Sequence, residues 1–266
     1  MKQTIIALYL ITSSYSLAAQ LTISPGAVFQ LSGNAQLTLQ NTDLVNNGNF
    51  SAGNSKVLFT GNAPSSVSGS MPVQFYELEI NKTGSGTVAL QREVSVSQQI
   101  NFVAGLLRLN NFNLDLGTTG FLTGESETSR ITGANGGQVL FTTTLNNPSS
   151  VNPANLGAII TSSQNMGTVL IKRGHQSQVN GSNMGSSVLR YYDISPANNT
   201  GLNATLRFQY FDAELNSFDE NTIVFWKSPN GTNWSNEGFT TRNTTSHYVE
   251  KTGINSFSRW TLSSIN

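Results

Sequence analysis

Residues 87–117 read TVALQREVSVSQQINFVAGLLRLNNFNLDLG. Apolar pairs alternate with polar residues: Val88/Leu90, Val94/Val96, Ile100/Phe102, Leu107/Leu109 and Leu114/Leu116. Side chains of a strand point to opposite faces with period two, so each pair marks a short strand with one buried face. The strands of a sandwich usually recur about every 8–12 residues, and these pairs follow one another more closely. Strands this short, joined by Gln, Asn and Gly turns, suit a coil that keeps bending the same way. The stretch predicts a β-solenoid.

Working outward toward the N-terminus, the rhythm continues less regularly. Leu21/Ile23, Val28/Leu31, Leu37/Leu39, Leu44, Phe50, Val57/Phe59 and Val67 are the expected inward set. Turns are marked by Asn46-Asn47-Gly48-Asn49, Gly53-Asn54 and Gly61-Asn62, because Asn and Gly tolerate positive φ. Asn at equivalent turns of a stacked coil could ladder its amides from rung to rung; turn preference alone also accounts for it. Residues 73–82 (VQFYELEINK) form the longest early strand, with Phe75, Glu77 and Glu79 expected on one face and Tyr76, Leu78 and Ile80 on the other. Alternation explains the two glutamates as solvated outer positions.

Residues 1–19 have the pattern of an export signal. Lys2 begins it, IIALYLI (5–11) is its apolar stretch, and Ser16-Leu17-Ala18-Ala19 offers small residues for cleavage. The apolar run is shorter than the roughly 20 residues that span a bilayer, and no later stretch is longer. The mature protein is expected to begin near Ala19 or Gln20 and to be secreted or held at the cell surface. The chain has no cysteine, so it must hold itself by burial and strand pairing, without disulfides, thiol nucleophiles or thiolate-bound metals. Its 266 residues carry only 11% charged side chains and a formal net charge of zero, with no basic stripe to meet nucleic acid.

Toward the C-terminus the texture changes at residues 146–155 (NNPSSVNPAN), so 146–153 is expected to link two parts: a short right-handed solenoid over 20–145 and a β-sandwich over 154–266. Beyond the linker longer strands are expected at 156–161, 167–173, 187–194, 204–211, 222–227, 248–251 and 259–262. Asn230-Gly231 is a tight-turn signal, and aromatics such as Tyr192, Phe208, Phe225 and Trp260 supply a core. The second part is expected to cover the open last rung, whose unpaired edge would otherwise invite aggregation.

The combination Arg173-Gly174-His175, Leu189-Arg190-Tyr191-Tyr192-Asp193-Ile194, 202–208 (LNATLRF), 210–216 (YFDAELN), Trp226-Lys227-Ser228 and 257–262 (FSRWTL) resembles a module of large secreted β-repeat proteins of flavobacteria and their relatives, associated with type IX secretion. The solenoid-like half resembles the segment that precedes that module. The resemblance implies export to the cell surface and an adhesive or structural role. It carries over no catalytic or binding residue. Such proteins often continue into a C-terminal sorting domain, and the sequence here stops at Asn266 without matching one.

Chemical candidates are few. His175 and His247 are the only histidines; His175 could be written into a triad with Ser177 and Asp193, but no Gly-x-Ser-x-Gly elbow exists. Asp212, Glu214, Asp219 and Glu220 form the one acidic cluster and are the calcium candidates, without the glycine spacing of a calcium loop. The acids of the solenoid half are scattered, giving no sign of the carboxylate pair of a polysaccharide-cleaving enzyme. Trp226 and Trp234 are the candidates for stacking on sugar rings, set against the usual burial of Trp. The expectation is a non-catalytic exported structural or adhesive protein that meets a cell-surface polymer or glycan; the alternative is a carbohydrate-binding module.

Overall fold

The computed structural model describes residues 19–178 and 185–264. Residues 1–18, nearly all of the expected export signal, lie outside the described residues. The chain is almost entirely β, with a solenoid of about six turns.

The first turn comprises β1 (Ala19–Ile23), β2 (Val28–Gln30) and β3 (Gln36–Gln40); the second, β4 (Thr42–Asn46), β5 (Asn49–Ser51) and β6 (Lys56–Gly61). In the third, β7 (Ser65–Ser68) is followed by β8 (Val73–Lys82), which serves two faces. β9 (Thr87–Leu90) opens the fourth, and β10 (Val94–Arg108) runs through it into the fifth, completed by β11 (Leu114–Asp115) and β12 (Phe121–Thr123). β13 (Ser129–Thr132) and the start of β14 (Gln138–Asn146) form the sixth.

All pairings between these turns are parallel, and like stacks on like. On one face Leu21, Leu44, Val67 and Leu90 are successive partners, twenty-three residues apart, and beside them Val88, Leu107 and Ile131 form a second column on the same face. On another, Leu37, Val57, Leu78, Ile100 and Leu122 line up. On the third, Phe29 stacks on Phe50 at 6.0 Å and Phe50 meets Phe75 edge-on at 5.8 Å. Such columns bury the inward face of every turn against its neighbours, so each turn depends on the next for its core.

Three details differ from the expectation. Val28 is 66% exposed; residues 28 and 31 cannot share a face at period two, and Phe29 with Leu31 is the inward set. Phe75 points inward together with Leu78 and Ile80, because β8 turns a solenoid corner between them and the alternation changes phase. The same corner appears in the next turn as a register shift between Val96 and Gln99. At the following corner Gly105 has φ +85°, and a Cβ there would fall 2.6 Å from the carbonyl oxygen of Lys82, so only glycine fits. Third, asparagine side chains do more than ladder. Asn41 Nδ2 reaches Asn62 Oδ1 at 3.4 Å, but Asn41 Oδ1 also accepts from Ala63 N, Asn47 Oδ1 from Ser70 N, and Asn113 Oδ1 from Gln138 N. One turn caps the backbone of the next.

β14 is the strand where the architecture changes. It pairs in parallel with β11 and antiparallel with β16 (Asn165–Gly174). Before β16 comes β15 (Ala158–Thr161); after it come β17 (Tyr191–Pro196), β18 (Ala204–Gln209), β19 (Ile223–Ser228), β20 (Ser235–Gly238), β21 (Thr241–Asn243), β22 (Tyr248–Ile254) and β23 (Arg259–Ser264). The solenoid sheet therefore continues as β14-β16-β17-β23-β19-β20, while β15-β18-β22-β21 form a separate antiparallel sheet. Phe208 of the smaller sheet meets Tyr192 at 4.8 Å and Phe225 at 6.1 Å, both from the larger one. The proline-rich stretch read as a linker is built into this joint: Asn146 pairs with Asn165, Val151 bridges Ile160, and Pro153 is buried in a short 3-10 turn, Pro153–Asn155. Asn155 Nδ2 donates to Leu122 O of β12 at 2.9 Å.

Candidate functional site at the joint

Where the C-terminal sheets meet the last turns of the solenoid there is a cavity of about 470 Å³, lined in part by Glu125, Arg173, Arg190, Tyr210, Phe211 and His247. Each residue arrives for a local reason. Arg173 is in phase with Val169 and Ile171 on β16, so the alternation that buries those two also turns the guanidinium inward; Arg190 is likewise in phase with Tyr192 and Ile194. Glu125 and Glu127 come from the turn before β13. Glu214 closes the short 3-10 turn Asp212–Glu214.

Buried charges survive only when paired and hydrogen-bonded, and here they are. Arg173 grips Glu125 with two parallel bonds, Nη1 to Oε2 and Nη2 to Oε1, both 2.8 Å. Its Nη1 also donates to Leu156 O at 3.2 Å. Arg190 donates through Nε and Nη2 to Glu214 Oε1, at 3.2 and 2.9 Å, and through Nη1 to Gln209 O. Tyr192 Oη donates to Leu156 O at 2.6 Å. Glu127 spans the joint: its two oxygens accept the backbone N–H groups of Asp212 and Ala213 at 2.8 and 3.0 Å.

His175 sits between the two pairs. Arg173 Nε donates to its Nε2 at 3.1 Å, so that nitrogen is an acceptor, and the proton lies on Nδ1, 3.6 Å from Glu214 Oε1. Burial, together with the Arg173 charge, lowers its pKa to about 4. The ring is therefore neutral at pH 7. For Glu214 burial acts upward, but Arg190 and the His175 N–H outweigh it and hold the carboxyl at about 2. For Glu125 burial is likewise opposed and exceeded by Arg173, leaving the group below its usual range.

The residues singled out from the sequence are dispersed. His175, Ser177 and Asp193 do not converge: Ser177 Oγ bonds to Ser187 O at 3.1 Å, and Asp193 is held by two bonds from Arg259, both 2.7 Å. Of the four acidic candidates, Glu214 is committed to Arg190, and Asp219 accepts from Asn221. Asp212 and Glu220 do come together, and with a residue the sequence did not link to them: His247, whose Nδ1 lies 3.0 Å from Asp212 Oδ1 and 3.5 Å from Glu220 Oε2. Trp226 is buried in β19 and offers no open ring face; Trp234 is partly buried, with a shielded Nε1. Sequence reasoning missed the paired arginines. The available signal was an arginine in the inward phase of an otherwise apolar strand.

The fold and joint define a β-solenoid of about six turns whose last turn is covered by antiparallel sheets through buried ion pairs. No protein family, curated protein or solved structure matches the chain. Among the described residues no helix is long and apolar enough to cross a membrane.

Proposed function

We propose that this is an exported, non-catalytic structural protein of the cell surface or its surroundings: a rod of stacked turns with a sandwich as its cap, serving adhesion. The observation that carries this reading is the state of the joint. Its buried ionisable groups are committed to one another, with Arg173 on Glu125 and Arg190 on Glu214, and the neutral His175 accepts from an arginine rather than facing a nucleophile. A catalytic centre keeps an acid or base within reach of the substrate; these groups are spent on fastening cap to rod. The resemblance to secreted flavobacterial modules supports the same address. The adhesive partner would be a surface polymer or glycan.

Fractionation of cells expressing the full chain, with external protease on intact cells, tests the address: protease should remove the protein while cytoplasmic markers persist. Recovery only in the cytoplasm would reject it. Adhesion of a deletion strain tests the role, and unchanged adhesion would leave the rod without that task. The carbohydrate-binding alternative loses the support of Trp226, because a buried indole cannot stack on a sugar ring.

A further inference from the structure

The second histidine stands apart from the charges that fasten the joint. His247 lies in the turn between β21 and β22, and its carbonyl accepts from Tyr210 N at 3.0 Å. Its Nδ1 is shielded from solvent and forms no aligned hydrogen bond, even though two carboxylates are near. One ligand atom from each of Asp212, Glu220 and His247 lies within 4.8 Å of the other two. Close approach without hydrogen-bond alignment is what results when three atoms face a shared point instead of each other.

We propose that Asp212, Glu220 and His247 form a binding site for a divalent transition-metal ion of the zinc class. For Zn–N and Zn–O bonds of about 2.0–2.1 Å, the ligand atoms of a tetrahedral site are about 3.3 Å apart. The separations from His247 Nδ1, 3.0 and 3.5 Å, bracket that value. One imidazole nitrogen with two carboxylate oxygens is a borderline donor set that suits zinc and its neighbours. Calcium, which takes six to eight oxygens, finds too few here. Three protein ligands leave a fourth position open.

The ligands are also held from outside, as metal ligands usually are. Tyr210 Oη donates to Glu220 Oε2 at 3.0 Å. Asp212 N is fixed by Glu127 across the joint at 2.8 Å. The site thus straddles elements that the solenoid positions, and His247 lines the joint cavity. The inference does not depend on the structural role proposed above.

The test is titration of the full chain with zinc chloride by calorimetry, and with cobalt chloride by visible absorption. One zinc per chain is expected, together with the intense visible bands of four-coordinate cobalt. Asp212→Asn and His247→Asn should each weaken zinc binding by about tenfold or more, the lower end of what even outer-shell partners contribute. Both sites tolerate the change: the Asp212 side chain is 57% exposed, and asparagine accepts the φ of +48° at residue 247. Unchanged far-UV dichroism of the variants separates lost binding from lost fold. Absence of zinc uptake by the wild-type chain, or uptake undiminished in both folded variants, would overturn the proposal; so would calcium binding in preference to zinc.

Discussion

Along the solenoid the interior columns are Leu, Val, Ile and Phe, and Lys82 is the one buried charge among its described residues, donating to Thr60 O and Ser65 Oγ. At the joint the interior includes Arg173, Arg190, His175 and Glu214. The difference follows from what each region must specify. A stacked turn meets a copy of its own shape, so shape and burial suffice. The joint brings together surfaces of unlike geometry, a parallel coil and antiparallel sheets. Two-pronged arginine–carboxylate contacts fix orientation in a way that apolar contact does not.

The sharpest way to break that contrast is to unpair the joint. Arg173→Leu strands the Glu125 carboxylate, and loss of one partner of a buried pair costs about 3–5 kcal/mol. We expect urea denaturation to show a loss of that size. Adding Glu125→Leu should restore most of it, because replacing both partners removes the uncompensated charge. If the double variant is no better than the single, the charges contribute more than their mutual neutralisation.

The solenoid offers the matched test. Leu44 is fully buried between Leu21 and Val67, whereas Leu37, in the first turn, is only partly buried. Leu44→Ala should cost about 2–5 kcal/mol as a cavity in a packed column, and Leu37→Ala distinctly less. Equal losses would mean that the turns do not share their core in the nearest-neighbour way the columns imply. Hydrogen exchange should report the same gradient, with protection rising from the first turn inward.

Much of this architecture was legible in the chain. The apolar pairs from Val88 to Leu116 are the buried set of the fourth and fifth turns, because period-two alternation survives in strands this short. The twenty-three-residue recurrence of Leu21, Leu44, Val67 and Leu90 was equally present, but it is degenerate, since any aliphatic residue serves in such a column. What alternation could not show were the corners. β8 and β10 each run through them as one strand, with only a local shift of register, and the phase changes where no Gly or Pro marks it, as between Phe75 and Leu78. The joint was less legible still. Glu125 and Arg173 are distant in sequence, and so are Asp212 and His247. Only the topology brings them together, and an isolated histidine carries no sign of which acids it will meet.

Acid should separate the two regions further. His175 has its folded pKa depressed to about 4, by burial and then by Arg173, from an unfolded value of 6.5. Between those pH values only the unfolded chain takes up the proton, so stability falls as pH drops from 6.5 toward 4. Glu214, held at about 2 against an unfolded value of 4.5, adds a second loss as pH falls from 4.5 toward 2. Each contribution is on the order of 1–3 kcal/mol. We expect melting temperatures measured across pH to decline in these windows, and His175→Asn to flatten the upper one while leaving the lower reduced but present, because Arg190 still holds Glu214 down. A solenoid variant such as Leu44→Ala should shift the whole curve without altering its slope. A slope unchanged by His175→Asn would place the acid sensitivity outside the joint.

The smallest expected effect concerns the polar edge of the rod. Asn47 Oδ1 accepts from both the backbone N and the Oγ of Ser70, at 2.9 and 3.1 Å, one turn further along. Ser70 is exposed and Asn47 half-buried, so water can replace the lost acceptor, and a typical hydrogen bond contributes only about 1 kcal/mol net. Asn47→Ala should therefore cost about 0.5–1.5 kcal/mol, well below the unpairing of Arg173. Asn47→Asp, which keeps an acceptor oxygen, should recover most of that loss. If Asn47→Ala instead matched a column cavity in cost, the turns would be held by their caps as much as by their cores, and the contrast between an apolar rod and a charged joint would have to be redrawn.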